Sequence, residues 1–283
     1  MKSADPRRNH LLGLAFAFGA GVCWSLGGWL IKSVSWNPMA ISGGRSIIAI
    51  LLILVVLGKP KITWSRAQIG GALAYAATVI LFVAANKLTT AANAILLQYT
   101  GPIYTAFFGA KILGERVNRS DWLAVVLVLF GVMLFFLDRL TLGGMAGNIL
   151  ALISGLSFGL LAVFLRQQKD ESGLESVLLG NLVAALMGLP FMVGGLPDGR
   201  SLFHLLLLGV FQLGLSYILY TEALKRIKAL ESILAASIEP ILNPLWVFLA
   251  LGERPGPWAL WGGAVVLVTV TVRSLVKATR TEV

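Results

Sequence analysis

Long apolar stretches, separated by short segments rich in charged residues, glycine and proline, recur along almost the whole chain of 283 residues. Each stretch is about 20 residues long, the length that an α-helix needs to cross a hydrocarbon core of roughly 30 Å. The pattern therefore predicts an all-α integral membrane protein without a separate soluble domain. The ten predicted spans are 10–32, 38–57, 66–86, 91–112, 120–137, 145–166, 173–193, 202–222, 229–251 and 257–276.

The composition agrees with a membrane protein. Hydrophobic residues make up 57% of the chain and charged residues 13%, and the mean hydropathy is +0.85. The net charge of +10 comes from basic residues scattered in twos and threes, without the continuous basic face that nucleic-acid binding needs. One cysteine, Cys23, and two histidines are too few for a metal centre, so neither a metal, a cofactor nor a nucleic-acid partner is expected.

The positions of Lys and Arg predict the orientation. With the N-terminus inside, 17 basic residues fall on the cytoplasmic side and five on the other, while Arg45 lies within the second span. Because cationic loops resist translocation, this asymmetry predicts that both termini lie in the cytoplasm and that the chain resides in the inner (cytoplasmic) membrane.

The chain matches itself when it is shifted by 138 positions. Residues 78–116 share 13 identities in 39 positions with 216–254, Pro102 falls on Pro240, and the same Leu-Gly-Glu-Arg sequence ends both segments. Two unrelated apolar helices would not share a proline and a Leu-Gly-Glu-Arg sequence at the same positions. The match predicts two repeats of five helices each, at 1–140 and 141–283.

An odd number of spans in each repeat would make the second half enter the membrane from the opposite side. Inverted repeats build a pathway at their interface, with a solute site near the midplane and alternating access between the two faces. The duplication therefore favours a transporter of a small-molecule substrate in the lipid bilayer. Since ten spans suffice for a complete pathway, a monomer is expected.

The five-plus-five architecture, Pro102 and Pro240, and the two Leu-Gly-Glu-Arg endings resemble the drug/metabolite transporter superfamily, in particular its EamA-type permeases. The resemblance covers essentially the entire chain. It implies ten helices and the carriage or export of amino acids and other metabolites, but it names no substrate.

Two charged residues at membrane depth are the first candidates for function. Glu239 lies at the centre of the ninth span and Arg45 lies eight residues into the second. Such groups are costly in lipid and should face protein or a cavity. Glu239 is either a carboxylate that binds and releases a proton or cation, or a structural residue, as a permanent partner of Arg45 or as a hydrogen-bonding residue that fastens helices. The two interpretations predict opposite titration behaviour.

The two matched prolines each remove a backbone hydrogen bond, which cavity-lining transporter helices tolerate, although a simple packing kink is the alternative. Helical spacing of three to four residues groups polar side chains around them. The predicted cavity lining is Gln98, Pro102 and Thr105 on one helix, and Glu239, Pro240 and Asn243 on the other.

Aromatic residues at similar depth complete the candidate site. Their faces could cage a cation or stack on a solute, although Tyr and Trp also favour membrane interfaces and helix packing. These residues are Trp24, Tyr99, Tyr104, Tyr217 and Tyr220.

The leading hypothesis is a secondary carrier that exports or exchanges small organic metabolites. A carrier of a lipid-linked substrate and a non-transporting scaffold or sensor remain alternatives. An enzyme is not expected, because an intramembrane enzyme needs a nucleophile and base, or a metal cluster, at one depth, and these spans hold one cysteine and one mid-span acid.

Overall fold

The computed structural model describes residues 6–137, 144–171, 173–193, 195–251 and 257–280, apart from some side chains within helices, among them that of Asn243. Over these ranges the chain is helical and contains no β-strand, which confirms the all-α prediction. The helices are α1 (Pro6–Trp24), α2 (Gly27–Ser33), α3 (Pro38–Leu57), α4 (Arg66–Leu88), α5 (Ala91–Gln98), α6 (Gly101–Ile112), α7 (Arg119–Phe136), α8 (Met145–Gln167), α9 (Gly173–Gly188), α10 (Gly199–Leu207), α11 (Ser216–Arg226), α12 (Ala229–Ala235), α13 (Glu239–Leu251) and α14 (Pro257–Arg280).

Not every predicted span is one long helix. In the described ranges, six helical segments are long and apolar enough to cross a membrane, and Trp261–Arg273 forms a shorter apolar helix within α14. The remaining predicted spans correspond to α7 and to two pairs of short helices, so the number of crossings stays a prediction. The six segments are Pro6–Ser33, Pro38–Leu57, Arg66–Leu88, Met145–Gln167, Gly173–Phe191 and Gly199–Arg226.

The fourth and ninth predicted spans are broken, not continuous. Two residues separate α5 from α6, and three residues separate α12 from α13. Pro102 and Pro240 are each the second residue of the helix after the break. In the first turn of a helix proline loses no helical hydrogen bond, because the amide there has no partner within the helix. The expectation of mid-helix prolines is therefore wrong.

The two breaks occupy equivalent positions in the chain. α12 begins 138 residues after α5, and α13 begins 138 residues after α6. This is the spacing at which the sequence matches itself, so the duplicated sequence forms the same broken element twice.

Two other segments depart from regular α-helix. The first predicted span breaks after Trp24, where the Ser25 hydroxyl oxygen accepts a hydrogen bond of 2.7 Å from the indole N–H of Trp246. A π-helical segment, Leu208–Leu215, joins α10 to α11. Wide turns of this kind are often found at functional sites.

Helices from the first half of the chain pack against helices from the second half. α4 lies on α8, α3 on α9 and α1 on α11. Glycine permits the close approach of α4 and α9, because a Cβ atom on Gly180 would lie 2.7 Å from the carbonyl oxygen of Ala72. The two halves interlock, and their shared interface positions the central cavity.

Polar contacts join the two halves at one end of the bundle. Arg166 Nε donates to Glu115 Oε1 at 3.0 Å, and the other oxygen of Glu115 accepts from the backbone N–H of Ala229 at 3.1 Å. Arg273 donates to Asp121 at 2.9 Å. Arg166 and Arg273 are both among the 17 basic residues predicted to lie on the cytoplasmic side.

Contacts also close the opposite end. The Thr89 hydroxyl donates to Asn148 Oδ1 at 2.8 Å, and Lys87 Nζ donates to the carbonyl oxygen of Val34 at 3.0 Å. A Cβ atom on Gly147 would lie 2.8 Å from the backbone nitrogen of Thr89. Close contacts therefore join helices at both ends of the molecule.

Candidate substrate site

A small cavity of about 30 Å³ lies in the interior, between helices of both halves. This volume holds water but is far below the roughly 300–1,000 Å³ of ligand pockets. The cavity would have to enlarge before a metabolite could enter. Its lining residues are Trp24, Arg45, Thr78, Val79, Phe82, Gln98, Phe158, Gln212, Tyr217 and Glu239.

Arg45 is fully buried in α3 and provides the positive charge of the cavity. Its guanidinium donates from Nη1 to Gln212 Oε1 at 2.7 Å and from Nη2 to the carbonyl oxygen of Val79 at 2.8 Å. Its Nε–H has no hydrogen-bond partner among the residues that the structure describes. Because both acceptors are neutral, they solvate the charge without cancelling it.

Glu239 provides the carboxylate. It is the first residue of α13 and is 6% exposed. A helix N-terminus stabilises a negative charge, because its free N–H groups carry partial positive charge. The Tyr99 hydroxyl, at the end of α5, donates to Oε2 of Glu239 at 3.2 Å. The two broken elements therefore meet at the cavity.

Arg45 and Glu239 do not form a direct ion pair within the described residues. In this conformation Glu239 is therefore not an ionic partner of Arg45. Both groups instead line the same cavity, which leaves each available to a ligand.

Trp24 forms an aromatic wall at the end of α1. Its ring centroid lies 5.4 Å from that of Phe158, 5.2 Å from that of Tyr217 and 4.9 Å from that of Tyr220. The three rings contact it edge-on, an arrangement that aromatic pairs favour. The indole N–H of Trp24 is buried and finds no hydrogen-bond partner in the described part of the chain.

A hydrogen-bonded chain continues the polar side of the cavity. Gln98 Nε2 donates to the Ser154 hydroxyl at 2.8 Å, and that hydroxyl donates to the carbonyl oxygen of Thr78 at 3.0 Å. The chain connects α5, α8 and α4. It holds the amide of Gln98 in one orientation at the cavity wall.

Other predicted site residues lie elsewhere. The Thr105 hydroxyl donates to the carbonyl oxygens of Gly101 and Gly159, at 3.1 and 3.2 Å, and Tyr104 packs against Gly159. The expected face shared by Gln98 and Thr105 is absent, because the helix breaks between them. Pro102 and Pro240 lie in the first turn of the helices after the breaks and are not among the residues that line the cavity. The side chain of Asn243 lies outside the described residues.

Gln212 is the most important residue that the sequence analysis missed. An uncharged polar residue in the middle of a predicted span is a usable signal, but the uncharged polar candidates were chosen by their spacing from Pro102 and Pro240, and Gln212 lies far from both in sequence. The sequence does not mark Phe82 or the backbone of Val79 as part of a site, because both residues lie in an ordinary apolar run. Within the described residues, no cluster of three His, Cys, Asp or Glu side chains could hold a metal ion.

Comparison with protein families gives two matches to the EamA-like transporter family, at residues 11–137 and 145–275. A solved crystal structure superposes with a TM-score of 0.80 at 18% sequence identity, covering 96% of this chain and 99% of that one. The second comparison supports the fold alone.

Curated relatives extend over most of the chain. An uncharacterized transporter of Archaeoglobus fulgidus is 26% identical over 86% of this chain and 88% of its own length. The threonine/homoserine exporter RhtA of Escherichia coli K12 is 28% identical over 78% of this chain and 79% of its own length.

Proposed function

This chain belongs to the EamA-like transporter family, and we propose that it is a secondary carrier of small zwitterionic metabolites, amino acids or related compounds, across the cytoplasmic membrane. The observation that carries the proposal is the pair of opposite charges in one interior cavity. Arg45 comes from the first half of the chain and Glu239 from the second, so a zwitterion bound between them contacts both halves.

The donors in the cavity suit a carboxylate. The Nε–H of Arg45 and the indole N–H of Trp24 lack hydrogen-bond partners within the described ranges. An unsatisfied buried donor is costly, and a charge-assisted hydrogen bond to a carboxylate is about twice as strong as a neutral one. We assign the solute carboxylate to these two groups.

The acceptor side suits an ammonium group. Tyr99 donates to one oxygen of the Glu239 carboxylate, and the other oxygen receives no hydrogen bond from the described residues. The rings around Trp24 leave little space for a large side chain in this conformation. Small amino acids fit this chemistry, and the name of one relative, a threonine/homoserine exporter, supports that substrate class.

Transport requires the site to open alternately to each side. The two family matches, the equivalent helix breaks and the contacts between the halves support two inverted five-helix repeats that rock against each other. Because contacts join helices at both ends and the cavity has room only for water-sized molecules, we propose that this conformation is closed around the site. We propose a monomer with ten crossings and both termini in the cytoplasm, working as an exporter or exchanger.

The test is solute flux in liposomes that contain the purified full-length protein. Radiolabelled threonine and homoserine are compared with N-acetylthreonine, which lacks the ammonium, and threonine methyl ester, which lacks the carboxylate. Each is measured with and without a pH gradient. The variant Glu239→Gln keeps an acceptor for Tyr99, and Glu171→Gln removes a charge from an exposed position as its control.

We expect flux of the zwitterions and a loss of about tenfold or more when either charge is removed from the solute, since a hydrogen bond to a charged group contributes about 1.5–3 kcal/mol. Glu239→Gln should lose flux and Glu171→Gln should not. If no solute moves and none shifts thermal stability, the carrier hypothesis fails and a scaffold or a lipid-linked substrate becomes the better interpretation.

A further inference from the structure

Three residues that line the central cavity carry an amide or an aliphatic hydroxyl group, and none of them has a part in the solute contacts assigned above. The Thr78 hydroxyl donates to the carbonyl oxygen of Ala74 at 2.7 Å, and Gln212 Oε1 accepts from Arg45. The side-chain oxygen of the third residue, Gln98 Oε1, accepts no hydrogen bond from the described residues. Gln98 therefore brings an unused acceptor to the cavity wall.

The orientation of this amide follows from the single proton of the Ser154 hydroxyl. Because that proton is donated to the carbonyl oxygen of Thr78, the Ser154 oxygen acts as an acceptor toward Gln98. Only the amide nitrogen can donate to it, at 2.8 Å. An amide turned the other way would place two acceptor oxygens against each other. Ser154 therefore keeps Gln98 Oε1 on the side of the amide that faces away from α8.

The packing of the broken helix does not require the Gln98 side chain. At the shift of 138 positions, Gln98 falls on Ala236. A glycine approaches the backbone at both positions. A Cβ atom on Gly155 would lie 2.8 Å from the carbonyl oxygen of Gln98, and one on Gly21 would lie 2.4 Å from that of Ala236. Since alanine permits the same close approach in the second half, the amide of Gln98 is available for another role.

We propose that Gln98 Oε1 accepts a hydrogen bond from a hydroxyl group on the side chain of the solute, and that Ser154 is the positioning residue for this contact. The inference rests on the proposed carrier function. With the solute carboxylate at Arg45 and Trp24 and its ammonium at Glu239, the solute side chain lies against the rest of the cavity lining, which includes Gln98. The substrate class then narrows from small zwitterions to small hydroxylated amino acids.

A fixed acceptor distinguishes between solutes of the same shape. Threonine and valine differ by a hydroxyl group in place of a methyl group. Threonine can donate to Gln98 Oε1, whereas valine leaves this oxygen buried without a hydrogen bond, which is costly. Sites that bind a substrate hydroxyl reject the analogue that lacks it for the same reason.

The test compares threonine and valine as solutes of the purified full-length protein in liposomes, each radiolabelled and at the same concentration. The wild type should prefer threonine about three- to tenfold, as expected for one hydrogen bond between neutral groups. If neither solute moves, the proposed carrier function fails and this inference fails with it. If both move at equal rates, the carrier function stands and this inference alone is overturned.

Two variants locate the contact. Gln98→Met removes the acceptor and keeps a side chain of similar length, and Ser154→Ala removes the group that orients the amide. Both should lower the ratio of threonine flux to valine flux toward one. The controls are Gln167→Met, at an exposed position of α8, and Ser157→Ala, whose hydroxyl donates to the carbonyl oxygen of Ile153 and does not line the cavity. Both controls should keep the wild-type ratio.

A third variant tests the other hydroxyl that could contact the solute. Tyr217→Phe removes the aromatic hydroxyl from the cavity lining and should keep the preference for threonine. Melting temperatures are measured in parallel, so that a loss of folding is not taken for a loss of selectivity. A folded Gln98→Met variant with the wild-type ratio would overturn the proposal, as would an equal fall of the ratio in Tyr217→Phe or in either control.

Discussion

Gly21 is the position at which one added methyl group should disturb the molecule most clearly. It lies in α1, opposite the segment that connects α12 to α13. A Cβ atom there would lie 2.4 Å from the carbonyl oxygen of Ala236 and 2.8 Å from Cγ2 of Ile238. The Ile238 side chain can rotate away, but the carbonyl oxygen belongs to the backbone.

Two effects of Gly21→Ala oppose each other. Alanine in a helix is favoured over glycine by about 0.5–1 kcal/mol. Carbon–oxygen contacts are normally about 3.3 Å, so the connecting segment must move by about 0.9 Å, and overpacking of this kind costs about 1–3 kcal/mol. The clash outweighs the propensity, and a net loss of about 0.5–2 kcal/mol is expected.

The assay is thermal unfolding of the purified protein in detergent, with flux measured in parallel. Gly109→Ala is the control, because Gly109 is also helical and its added Cβ would meet nothing closer than 4.0 Å. It should gain stability where Gly21→Ala loses it. If Gly21→Ala melts at or above the temperature of Gly109→Ala, the proposed close contact between α1 and the connecting segment is refuted.

Two further predictions concern orientation and the buried arginine. In a background without the native cysteine, a membrane-impermeant thiol reagent added to intact cells should label Arg200→Cys but not Lys59→Cys, and the reverse pattern would contradict the orientation. Gln212→Leu removes the acceptor of Arg45 and should destabilise the protein by about 1–3 kcal/mol, whereas Gln212→Glu keeps an acceptor. Identical melting temperatures for the two variants would show that this hydrogen bond contributes nothing.

The candidate site was only partly predictable from sequence. Charge at membrane depth identified Arg45 and Glu239, because the cost of burying an ionised group marks such residues wherever they occur. Gln212 and Ser154 carry no charge and gave a weaker signal. Thr105 was placed with Gln98 by helical spacing, a rule that fails where the helix breaks between two residues.

The sequence by itself determined that the chain is helical, that it lies in lipid and that one segment occurs twice. These properties follow from the amount and spacing of apolar residues and from local identity, which need no knowledge of the fold. Only the tertiary structure decided that Arg45 contacts Gln212, 167 residues away, and that Tyr99 contacts Glu239, 140 residues away. It also decided that both prolines lie in the first turn of a new helix, because a proline is compatible with a kink or with a first turn and the packing around it selects between them.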